Sequence, residues 1–174
     1  FNCDVSPFNR MIYSSQSHLS VISSAVSNFT TVPSGSFVFS EYSTVNISSL
    51  EYTTTDPDEI FVKSYYSTIS IIDGNIVTFS SNTSIFETCI VNFNTNIAGP
   101  QNFNFLNSVV NFNLRNSQDV TGNVNFTNSM VNIPDTFALG IGLISFVNST
   151  ANIGTLDITS SNNPNDMMIF SASN

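Results

Sequence analysis

Four stretches of this chain repeat one phrase: Phe86-Glu-Thr-Cys-Ile-Val-Asn92-Phe93, Phe105-Leu-Asn-Ser-Val-Val-Asn111-Phe112, Phe126-Thr-Asn-Ser-Met-Val-Asn132-Ile133 and Phe146-Val-Asn-Ser-Thr-Ala-Asn152-Ile153. In each copy the second Asn follows the first Phe by six positions, and from copy to copy it advances by 19, 21 and 20 residues. Val45-Asn46-Ile47 matches the end of the phrase, Ile69-Ser70-Ile71 lies midway to Asn92, and Asp166 to Phe170 opens a further copy. A period of 19 to 24 residues without helical spacing marks a solenoid, in which each repeat buries its apolar face only by stacking on its neighbours.

Within a copy the apolar residues alternate. Phe103 and Phe105, Val124 and Phe126, Ile144 and Phe146 form one pair per repeat; Val91 and Phe93, Val110 and Phe112, Val131 and Ile133 form another. Such alternation predicts strands with one buried face, and the Asn-Ser residues between the pairs predict a turn. The segments after the second pair, such as NTNIAGPQN and PDTFALGIG, are expected to hold loops and a short irregular third strand. The fold class expected is an all-β parallel β-helix of about six or seven coils, with a β-sandwich as the alternative. All 174 residues form one domain, with a cap and first strand over residues 1–30 and coils over 37–174. Ser6 and Pro7 suit the start of a short capping helix over Ser6–Tyr13, followed by a first strand over Leu19–Val26.

In-register stacking would align Asn92, Asn111, Asn132 and Asn152 into a column whose amides bond along the stack. Cys89 occupies the position held by Ser108, Ser129 and Ser149 in the other copies. A disulfide between Cys3 and Cys89 is expected in an oxidising compartment.

The phrase resembles that of the parallel β-helices with pectin-lyase-like architecture found in surface adhesins and extracellular repeat proteins. The likeness covers residues 77–170, where the recurring form here is Phe-x-Asn-Ser and the paired glycines of many such repeats are absent. It implies right-handed winding and an adhesive, structural or polysaccharide-cleaving role.

Composition narrows the function. Only 9% of residues are charged, 71 residues are Ser, Thr or Asn, and the formal charge is −9 with Arg10, Lys63 and Arg115 as the whole cationic complement. No basic patch can be assembled, which argues against nucleic acid and anionic membranes as partners. The apolar run at 137–147 is too short for a membrane span, which needs about 20 residues. The start FNCDVSP fits a mature product whose signal has been removed, or an excised fragment. Asn28, Asn46, Asn82, Asn125 and Asn148 head glycosylation sequons if the chain is extracellular.

His18 is the only histidine, so no His-based metal cluster or catalytic triad is expected, and no cofactor. Polysaccharide cleavage would need clustered acids, and Asp119, Asp135 and Asp157 lie at different offsets from their phrase Asn. Asp56, Asp58 and Glu59 form a weak calcium candidate in an acidic turn. Tyr52 to Thr55 and Tyr65-Tyr66 suit sugars. The reading is a non-enzymatic extracellular structural glycoprotein that joins its own copies into a filament or coat. An adhesin-type module for glycans or a cell-surface protein is the alternative, and a lyase or hydrolase ranks third.

Overall fold

A computed structural model describes residues 8–27, 31–53, 60–77, 82–99, 101–112, 119–120, 122–139, 143–158 and 167–172. Each coil contributes one strand to each of two sheets. The first coil is β1 (Phe8–Ser15) and β2 (His18–Ser27), the second β3 (Thr31–Glu41) and β4 (Thr44–Thr53), the third β5 (Ile60–Tyr65) and β6 (Thr68–Val77), and the fourth β7 (Asn82–Glu87) and β8 (Ile90–Gly99). The fifth is β9 (Gln101–Leu106) with a divided partner, β10 (Val109–Phe112) and β11 (Asp119–Val120). The sixth is β12 (Val124–Thr127) and β13 (Met130–Leu139), the seventh β14 (Leu143–Val147) and β15 (Thr150–Ile158), and β16 (Met167–Ser171) opens an eighth.

Every pairing is parallel and joins neighbouring coils. One sheet runs β1-β3-β5-β7-β9-β12-β14-β16, and the other stacks β2, β4, β6, β8, the β10 and β11 pair, β13 and β15. The molecule is therefore a β-solenoid, and a sandwich of antiparallel strands is excluded. Among the described residues, strands of seven coils and the first strand of an eighth are present, slightly above the expected number. At the usual strand spacing the eight rungs span about 34 Å.

Two expectations need correction. The residues expected as a capping helix form strand from Phe8 onward, and Ile12 stacks in register on Val38. Helical propensity loses there because Ser is a poor helix former, whereas an added rung satisfies the open edge of β3. Leu19–Val26 does lie within a strand. The expected short third strand is found in the fifth coil, as β11, but elsewhere it is a continuation of the second: β6, β8 and β13 run on through register shifts, as between Ile133 and Thr136.

The core is a set of columns. Phe86, Phe105, Phe126 and Phe146 stack ring on ring at 5.0–5.1 Å. Phe93 and Phe112 form a second column at 4.9 Å, meeting the first edge to face. Such pairs add about 0.5–1.5 kcal/mol beyond the area they bury. In the first three coils Ser14, Ser40 and Ser64 take the place of the first Phe column. Ser40 and Ser64 share a hydrogen bond of 2.7 Å.

The turn from first to second sheet uses the same device in every coil. Gln16, Tyr42, Tyr66, Thr88, Asn107, Asn128, Asn148 and Ala172 all have φ between 47° and 55°. Asn tolerates this left-handed conformation better than other non-glycine residues. Asn128→Ala is accordingly expected to lose about 1 kcal/mol of stability, and Asn128→Gly less, which a denaturant titration of both variants would check.

In the second to seventh coils the residue after the left-handed position points inward, whereas Ser17 of the first coil is exposed. Ser43, Ser67, Cys89, Ser108, Ser129 and Ser149 are all buried. The Ser108 N–H donates to Ser129 Oγ at 3.1 Å, and the Ser129 N–H donates to Ser149 Oγ at 3.0 Å. Each hydroxyl in turn donates to the carbonyl two residues before it, as Ser129 does to Thr127 at 2.8 Å. A small hydroxyl here satisfies a buried backbone donor on one coil and a carbonyl on its own.

Candidate functional site

The outer faces of the rod repeat as regularly as its interior. On the second sheet Asn46, Ser70, Asn92, Asn111, Asn132 and Asn152 occupy one register position. Asn111 Nδ2 donates to Asn92 Oδ1 at 2.8 Å, Asn152 Nδ2 to Asn132 Oδ1 at 3.1 Å, and Asn92 Nδ2 to Ser70 Oγ at 3.5 Å. Two further amide columns were not anticipated: Asn125 donates to Asn104 at 2.9 Å and Asn128 to Asn107 at 3.2 Å. These amides are half-buried or exposed, neutral, and bonded along the rod axis.

Beside the second-sheet amides runs an aliphatic column of Ile90, Val109 and Met130, all exposed. On the first sheet and its turns, over the first three coils, aromatic residues gather on the outer side. Tyr13 stacks on Phe39 at 5.7 Å, Phe39 meets Tyr65 at 5.8 Å, and Tyr42 lies flat against Tyr66 at 5.0 Å with an interplanar angle of 3°. The Tyr13 hydroxyl donates to Glu41 Oε1 at 2.9 Å, and Ser15 Oγ donates to the same oxygen at 3.3 Å. At the β16 end the Phe170 ring stacks on Phe146 at 5.0 Å and is itself 54% exposed.

No protein-family model, curated protein or solved structure matches this chain. The pectin-lyase-like and adhesin resemblance therefore rests on the coil phrase, and the architecture supports it to the level of a parallel β-solenoid.

The residues singled out by sequence fall as follows. Asp56, Asp58, Glu59, Asn28 and Cys3 lie outside the described residues. Asp119 and Asp157 do share a register, flanking Ala138 on either side, while Asp135 falls in the register shift of β13. The offsets from the phrase Asn concealed this because β10 and β11 are separated by residues that β13 passes over. Among the described residues no group of three His, Cys, Asp or Glu is placed to hold a metal ion, and no helix is long and apolar enough to cross a membrane. His18 is exposed at the start of β2.

Of the described sequons, Asn46 and Asn125 are half-buried within strands, with Asn125 Nδ2 engaged on Asn104. Asn148 is exposed at its left-handed turn and so is a more accessible acceptor than Asn46 or Asn125.

Cys89 is a free, buried thiol in the serine column. The Cys89 N–H donates to Ser108 Oγ at 3.1 Å, and Sγ donates to the Glu87 carbonyl at 3.3 Å. Burial pushes its pKa up, with backbone hydrogen bonds from Ser67 and to Glu87 as secondary influences. The folded state holds this proton more tightly than the unfolded chain. Its contribution to stability is whole below the ordinary thiol range of about 8.5 and declines as the pH rises beyond it. Relative to Cys89→Ser, the native chain is expected to lose denaturant resistance above that range, as midpoints measured across pH would show.

Sequence reasoning marked Tyr65-Tyr66 and missed Tyr13, Phe39, Glu41 and Tyr42. The signal was present in EYSTVNI at 41–47 and YYSTISI at 65–71, which match one coil apart.

Proposed function

We propose that this chain is a non-enzymatic structural glycoprotein of an extracellular surface, a β-solenoid rod whose copies join coil on coil into a filament or coat. The observation that carries this reading is the β16 end, where Phe170 continues the aromatic column and leaves an exposed ring in register for one more rung. A parallel strand and a ring docked there would repeat the contact that Phe146 makes with Phe170. Among the described residues β16 pairs with β14 alone, and a strand edge is a template for a further parallel strand. Disposition of the polar side chains also favours a structural role, since serine and asparagine groups bond along the rod. Extracellular location is supported by a hydroxyl-rich, lysine-poor composition, with Asn148 as the expected glycan acceptor.

Electron microscopy of the concentrated 174-residue chain tests this. Fibres one rod wide are expected, and discrete single rods at every concentration would contradict it.

A further inference from the structure

The aromatic face of the first three coils points to a second role. Its positions form a grid: Tyr13, Phe39 and Lys63 occupy one register column, Ser15, Glu41 and Tyr65 the next, and Gln16, Tyr42 and Tyr66 the turn. Four of the chain's five tyrosines are gathered here. Tyr42 is 59% exposed and Tyr66 52%, and among the described residues neither phenol oxygen has a hydrogen-bond partner.

The turn makes this choice of residue costly. Tyr42 and Tyr66 sit at φ 50° and 49°, where the later coils use Asn107, Asn128 and Asn148. A bulky residue held in this region pays in backbone strain that Asn largely avoids, and such strain gathers at binding sites. The first four coils all carry a residue other than Asn here, and in two consecutive ones it is an exposed tyrosine.

We infer that this grid binds an uncharged glycan lying along the rod axis. The outward edges of the stacked Tyr42 and Tyr66 rings suit the C–H surfaces of sugars, while their phenol hydroxyls and the Glu41 carboxylate suit sugar hydroxyl groups. The 5.0 Å step between the exposed Tyr42 and Tyr66 is close to the advance per sugar of an extended β-linked chain, while Phe39 is buried beneath Tyr13 and Tyr65 as packing. Charge selects the partner further. Within a chain of formal charge −9 the grid balances Glu41 against Lys63, so a neutral polymer is accommodated where an anionic one is repelled. A protein partner fits less well, because the exposed positions of the grid are phenolic and polar, whereas the exposed aliphatic column of Ile90, Val109 and Met130 lies on the other sheet.

The test titrates the 174-residue chain with cellohexaose and chitohexaose by calorimetry and by NMR. Tyr42→Asn/Tyr66→Asn is the informative variant, since it installs the residue the same turn already uses and keeps the fold. Binding of at least one sugar, weakened about tenfold or more in the double variant and unchanged in Met130→Ser, is the expected result. The inference is overturned if neither sugar binds, if the double variant binds as the parent does, if Met130→Ser abolishes binding equally, or if the tyrosine changes alter only self-association. Glycan binding and fibre formation are read separately, so either proposal can fail alone.

Discussion

Phe105→Ala is expected to destabilise the chain by about 3–5 kcal/mol, the largest single loss anticipated here. Phe105 stacks between Phe86 and Phe126 in one column and meets Phe93 and Phe112 of the other edge to face. Its removal opens a cavity that neither neighbour can fill, because both rings are held by the rungs beyond them. A solenoid is cohesive only through adjacent repeats, so the void also uncouples the coils before it from those after it. Denaturant unfolding should show a lowered midpoint and a broader transition. Phe105→Leu should recover much of the loss by keeping the site filled.

Ser129→Ala carries the second largest effect, about 1–3 kcal/mol. The hydroxyl accepts from the Ser108 N–H and donates to the Thr127 carbonyl, and it is buried. Removal leaves a buried backbone donor without a partner, which costs more than the net worth of the bond itself. Ser129→Cys is the discriminating control. Cys89 holds the same position two coils away in that column, with Sγ bonded to Glu87, so a thiol there should retain most of the stability. Equal losses in the two variants, measured by chemical denaturation, would show that packing rather than hydrogen bonding governs the column.

Coils four to seven were legible because each buries Phe at fixed positions, with Asn-Ser at the turn between in all but the fourth, which has Thr88-Cys89. The first three coils hid themselves by the substitution that distinguishes their interior. With Ser14, Ser40 and Ser64 in the inward column, the alternation of apolar and polar residues disappears. In β1 the remaining apolar residues then fell near helical spacing, and Ser6-Pro7 supplied a plausible helix start for a segment that forms a strand. The amide column at Asn92, Asn111, Asn132 and Asn152 could be read because its spacing equals the coil length. Glu41 and Tyr13 could not, since they are 28 residues apart and meet only through the register of β1 on β3. The alignment of Asp119 with Asp157 was concealed for the same reason, a coil whose second strand is divided.

The central claim is that the stack which builds the rod also joins one copy to the next through the β16 end. Sedimentation equilibrium of the native chain beside Phe170→Asp over a wide concentration range tests it most directly. Association that strengthens with concentration in the native chain and is lost in the variant is the expected outcome. A native chain that stays monomeric throughout, or a variant that associates as strongly, would contradict it.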